Sequence, residues 1–200
     1  MNDKGLLLVV SGPSGAGKGT VCNLYMEKHP ECSLSVSATT RAPRPGEKDG
    51  VSYFFLTEDA FRTKIADKGF LEHAVFCGNY YGTPKDAVMD MINSGKDVIL
   101  EIEVQGAMQV RSHYPEAVLI FVIPPTMDEL EERLRNRGTE TDEVIASRLT
   151  RAKEEFNYTE KYNYILINDT VENAVKRLES IIVAEKCRIE RKYEYIKEAF

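Results

Sequence analysis

Ser11-Gly12-Pro13-Ser14-Gly15-Ala16-Gly17-Lys18-Gly19-Thr20 stands between the apolar run Leu6 to Val10 and a helical pattern from Thr20 to Lys28. Strand, glycine-rich loop and helix in that order form the context in which a phosphate-binding loop works. Glycines let successive backbone N–H groups turn inward onto phosphate oxygens, and the helix N-terminus adds its positive dipole end. Lys18 supplies a full mobile charge. The cradle suits a di- or triphosphate, and a mere tight turn would not require a lysine at this place.

Outward from the loop, strand-like apolar runs recur at Leu6 to Ser11, Ser33 to Ser37, Val98 to Ile102, Val118 to Ile123 and Tyr164 to Ile167, mostly separated by helical patterns. That alternation predicts an α/β fold with a parallel sheet flanked by helices. Thr126 with Glu129 reads as a capping box, Gly138 as a helix stop, and Thr170 as the start of the last long amphipathic stretch. Between Thr39 and Lys85 the period shortens: Ser52 to Phe55, Leu71 to Phe76 and Asn79 to Tyr81 read as short strands, with a helix near Asp59 to Asp67. The chain is therefore divided into a core of 1–38, 86–128 and 157–200, an inserted strand-rich subdomain at 39–85, and a charged helical pair at 129–156.

The 200 residues carry a net charge of -6 with 42% hydrophobic and 29% charged residues, which is enough to bury a core and too acidic for a nucleic-acid backbone as partner. Leu6 to Val10 is too short for a membrane span or a signal-peptide core, so no membrane partner and a cytoplasmic setting are expected. Cys22, Cys32, Cys77 and Cys187 lack C-x-x-C spacing and do not cluster with His29, His73 or His113, so they are read as four small buried hydrophobes. Glu185 to Phe200 suits packing on the core or joining two subunits, and oligomeric state is left open.

The G-K-G-T ending of the loop resembles that of nucleoside monophosphate kinases. Arg41 and Arg44 lie three apart around Pro43, placed to fork onto one phosphate, although two solvated arginines would look the same in isolation. Tyr53, Glu72, Gly78-Asn79-Tyr80-Tyr81-Gly82-Thr83 and Glu101-Ile102-Glu103-Val104-Gln105-Gly106 follow. From the phosphate loop to Asn168, their order and spacing resemble the guanylate kinase family, most specifically over Ser35 to Glu47 and Gly78 to Thr83.

The resemblance implies ATP:GMP phosphotransfer with ATP and GMP as substrates and Mg²⁺ accompanying ATP. It places ATP on Gly12, Pro13, Ser14, Gly15, Ala16, Gly17, Lys18, Gly19, Thr20, Arg133 and Asn168, the last at the adenine end. The GMP phosphate falls to Arg41, Arg44, Tyr53 and Tyr81, and guanine to Ser37, Glu72, Thr83 and Glu103. Glu101 would orient magnesium through water, and Lys18, Arg137 and Arg148 would bear the developing charge. Gly19 stands where a phosphate loop commonly has its hydroxyl, with Thr20 one place later, so a direct hydroxyl ligand to magnesium is not implied. Glutamates 101 and 103 replace aspartates common in the family. Two alternatives are a non-catalytic domain of this family binding phosphorylated peptides, which typically lacks an intact phosphate loop, and a kinase for another nucleoside monophosphate.

Overall fold

In the computed structural model, residues 4–136, 138 and 141–199 are described, with the backbone alone at 194, 195, 198 and 199. Among them the chain runs β1 (Leu7–Ser11), α1 (Lys18–Lys28), β2 (Cys32–Leu34), β3 (Ala38–Thr39), β4 (Phe54–Phe55), α2 (Glu58–Ala66), β5 (Phe70–Phe76) and β6 (Asn79–Pro84). It continues through α3 (Lys85–Asn93), β7 (Asp97–Glu101), α4 (Val104–His113), β8 (Val118–Ile123), α5 (Met127–Arg135), α6 (Asp142–Phe156), β9 (Tyr164–Ile167), α7 (Val171–Lys186) and α8 (Ile189–Ala199). The larger sheet has the order β2-β7-β1-β8-β9 and the smaller β4-β3-β6-β5. Helices follow most strands of the larger sheet, whose β2/β7 and β8/β9 pairs are parallel, as crossover connections require. Two compact units share the chain, with the boundary inside β1.

The first unit comprises Met1–Val9 and Glu31–Ala117. Its buried Asp97 accepts the Leu6 backbone N–H at 2.9 Å, satisfying a carboxylate that could not otherwise remain inside. The smaller sheet carries its own core of Ala38, Phe61 and Phe70. Phe61 comes from α2, which starts where the Thr57 hydroxyl accepts the Ala60 N–H at 3.2 Å. Phe61 stacks on Phe70 at a centroid distance of 4.3 Å and leans on Tyr80 at 5.3 Å. β5 and β6 pair antiparallel, Glu72 facing Thr83 and Ala74 facing Tyr81.

The second unit comprises Val10–Pro30 and Val118–Phe200. β8 is apolar throughout, as expected of a strand covered on both faces. Thr126 caps α5 by accepting the Glu129 N–H at 3.1 Å, and Thr170 caps α7 through Asn173 at 3.2 Å. Leu130 and Leu134 of α5 pack on Ile145 and Ala152 of α6. Buried Glu185 on α7 accepts the Tyr164 hydroxyl of β9 at 2.7 Å and the Arg191 guanidinium of α8 at 3.2 Å. The start of the C-terminal charged stretch is thereby anchored on its own unit.

Two expectations are corrected. Of the four cysteines, Cys22 and Cys32 are buried but Cys77 and Cys187 are exposed. Cys77 has φ +48 and precedes Gly78 at +75, so it occupies a tight hairpin turn whose side chain faces out; Cys187 caps the end of α7. The run Ser33 to Ser37 is not one strand: β2 ends at Leu34, and the chain crosses to the smaller sheet, which begins at Ala38.

Candidate active site

In the second unit the loop after β1 closes around its own lysine. Lys18 Nζ donates to Gly12 O at 2.6 Å and Pro13 O at 3.1 Å, so the ammonium lies across the loop it belongs to. The first hydrogen bond of α1 runs from Val21 N to Gly17 O at 3.1 Å. The N–H groups of Lys18, Gly19 and Thr20 therefore lie in the first turn of α1, the place where a helix takes up an anion. Gly17 adopts φ +86, and a Cβ there would sit 2.4 Å from Asn168 Nδ2.

Asn168 is buried after β9 and clasps the loop. Its Nδ2 donates to Ala16 O at 2.8 Å, and its own carbonyl accepts Arg133 Nη2 at 2.8 Å. Asn168 Oδ1 is buried without a hydrogen-bond partner. Arg133 is also ion-paired with Glu129, one turn earlier on α5. From α6, Arg148 Nη1 donates to Ser14 Oγ at 3.0 Å. Ser14, Ala16, Gly17, Lys18, Arg133, Arg148 and Asn168 thus meet at one place. Arg137 lies outside the described residues.

In the first unit a second cluster forms. Tyr81 and Thr83 are two apart on β6, so their side chains share one face of the smaller sheet. Arg41, just after β3, lies with Cζ 5.5 Å from the Tyr53 ring centroid, and the Tyr53 and Tyr81 rings are 6.1 Å apart. Arg44 is exposed on the same loop. Glu72 is buried, its Oε1 accepting the Thr83 hydroxyl at 2.7 Å. Burial pushes the Glu72 carboxyl above the usual carboxylate range, the Thr83 hydrogen bonds oppose this, and the charge of Glu103 adds to it. Ser37 is half-buried and passes its carbonyl to Phe54 N at 2.9 Å. Glu103 is exposed at the N-terminus of α4, and Glu101 is exposed at the carboxyl end of β7.

A family model described as guanylate kinase matches residues 4–185. The chain belongs to the guanylate kinase family. It is 57% identical over 191 residues to a guanylate kinase of Clostridium acetobutylicum, covering 96% of this chain and 91% of that relative. It is 55% identical to one of Desulfitobacterium hafniense, covering 94% of each. The crystal structure of guanylate kinase from Anaplasma phagocytophilum superposes with a TM-score of 0.73 at 33% identity, over 94% of this chain and 90% of that one.

Three residues without an assigned role in the sequence bear on this guanylate kinase site. Gln109 of α4 accepts His73 N at 3.1 Å and donates to His73 O at 3.0 Å, pairing the outer edge of β5 beside Glu72. Glu47 holds Arg41. Gly106 leaves room for the buried carboxylate, since a Cβ there would lie 2.8 Å from Glu72 Oε2. Only a glycine inside a helical run hinted at the last of these. Gly106→Ala is expected to displace the Glu72 carboxylate and raise KM for GMP about tenfold. KM for ATP should stay within twofold. Steady-state kinetics with each substrate varied in turn checks this, and an unchanged KM for GMP would show that the carboxylate does not need its present position.

Proposed function

We propose that this chain is a guanylate kinase transferring the γ-phosphoryl group of ATP to GMP, giving ADP and GDP, with cytoplasmic nucleotides as its substrates. The observation that carries the reading is the first unit's small sheet, where one buried carboxylate and one arginine–tyrosine cluster share neighbouring strands. Guanine presents N1–H and its exocyclic amino group side by side, and a carboxylate accepts both as a fork. Glu72 is that acceptor, with Thr83, Ser37 and Glu103 around the base. Arg41, Arg44, Tyr53 and Tyr81 take the phosphate. On the donor side Gly12, Pro13, Ser14, Gly15, Ala16, Gly17, Lys18, Gly19 and Thr20 wrap the ATP phosphates, with Arg133 and Asn168 fixing the loop's shape.

The acceptor is a phosphate oxygen already anionic near neutral pH, so no general base is required. What the protein must supply is in-line positioning and countercharge for a loose transition state. Lys18, Arg148 and Arg137 supply that charge. Among the described residues no three or more His, Cys, Asp or Glu groups cluster to cage a metal. The exposed carboxylate of Glu101 instead suits Mg²⁺, which keeps several waters and takes phosphate oxygens. When bound with ATP, it would neutralise phosphate charge, with Glu101 orienting its water. No described helix is long and apolar enough to cross a membrane.

Arg41→Ala tests the acceptor assignment. Losing a charge-assisted hydrogen bond of about 1.5–3 kcal/mol should raise KM for GMP by about 10- to 150-fold. KM for ATP should barely move. An equal rise for both substrates would contradict the assignment.

A further inference from the structure

Arg41 does not wait in solvent for a phosphate. Its Nη2 donates to both oxygens of Glu47, at 2.8 and 3.0 Å, and its Nη1 donates to Ala42 O at 2.7 Å. The two side chains are only 16% and 20% exposed. Glu47 is itself fixed. Its carboxylate accepts the Arg44 N–H at 2.7 Å, and its backbone N–H returns to Arg44 O at 3.0 Å. Arg44-Pro45-Gly46-Glu47 is thus a tight turn, with proline presetting φ and Gly46 at φ +87 as a type II turn demands.

We propose that Glu47 is a positioning residue for the GMP phosphate, anchored by its own turn and holding the Arg41 guanidinium against Tyr53 and Tyr81. The proposal rests on the assignment of Arg41 to that phosphate. A guanidinium has five N–H groups, and the contacts to Glu47, Ala42 and Tyr81 do not use all of them, so donors remain for the ligand while Glu47 stays in place. Without the carboxylate the long arginine side chain samples many rotamers, and the lost preorganisation appears as weaker binding. The opposite role is a stand-in anion that the incoming phosphate displaces. The carboxylate's bond to the Arg44 backbone, which is independent of Arg41, argues against it. The sign of the effect separates the two.

The experiment compares the intact enzyme with Glu47→Gln, Arg41→Ala and the double variant. For Glu47→Gln, KM for GMP is expected to rise about tenfold while kcat and KM for ATP stay within twofold. In the Arg41→Ala background the same substitution should change KM for GMP by less than twofold, because the guanidinium through which Glu47 acts is gone. A fall in KM for GMP, no change, or a tenfold rise that persists without Arg41 would each overturn the proposal. If Arg41→Ala alone leaves KM for GMP unchanged, the phosphate assignment itself is wrong, and the proposal falls with it.

Discussion

Lys18→Met is expected to lower kcat by at least about 10²–10³-fold while leaving the fold intact. Lys18 Nζ spends two hydrogen bonds on the carbonyls of Gly12 and Pro13, at 2.6 and 3.1 Å, and it sits partly exposed on the loop. Methionine keeps the length of the side chain and removes the charge. The loop's shape is also secured by Asn168 Nδ2 on Ala16 O at 2.8 Å, so the cradle does not depend on the lysine. The loss should fall on the chemical step, because charge on the transferring group is stabilised most in the transition state. Turnover at saturating ATP and GMP, with a thermal melt as the check on folding, measures it. A variant turning over within tenfold of the parent would remove Lys18 from the mechanism.

Glu72→Gln is expected to lower kcat/KM for GMP by about 2–4 kcal/mol in barrier terms, while the poor reaction with AMP changes little or improves. The amide can still accept the Thr83 hydroxyl, which lies 2.7 Å from Glu72 Oε1, but its NH₂ then faces guanine's own donors. Adenine lacks the paired donors, so AMP leaves the carboxylate with only its Thr83 hydrogen bonds in the parent enzyme. The pH dependence carries a second signature. Burial raises the Glu72 carboxyl, so kcat/KM for GMP should decline on acidification at a pH above the ordinary carboxylate range. That limb should be absent in the variant. Linkage runs the other way: a raised carboxyl favours the protonated folded state, so its contribution to stability is full below the unfolded pKa and fades as pH rises through the folded one. Thermal melts of both proteins across the acidic range should show the parent gaining on the variant as pH falls. An unchanged GMP-to-AMP preference would mean that Glu72 does not read the base.

The α/β class was legible because period and punctuation agree. Buried β8 is apolar at every position, and the Thr126 and Thr170 caps act through the residues three places on. The strand–loop–helix context of Gly12 to Lys18 was legible because it is local: strand, turn and helix start all lie within Leu7 to Lys28. The rest depends on contacts distant in sequence. Asn168 bonds a carbonyl 152 positions away, and Gln109 pairs with His73 across 36. Nothing in the local pattern announces such partners. Cys77 misled because a small apolar residue is usually buried, whereas the hairpin needed a residue at positive φ there. Glu47 stood in plain view after Pro45-Gly46, but only the turn geometry shows its carboxylate folding back on Arg44 and Arg41.

The account is tested most directly by a coupled assay with ATP as donor and GMP, AMP, CMP and UMP as acceptors in parallel. GMP should be phosphorylated with kcat/KM above that for AMP by about 10⁴-fold, as sites built on substrate hydrogen bonds achieve, and the pyrimidine nucleotides should be equally poor. Comparable turnover of AMP or a pyrimidine monophosphate would contradict the acceptor assignment, and no turnover of any of the four would contradict the phosphotransferase itself.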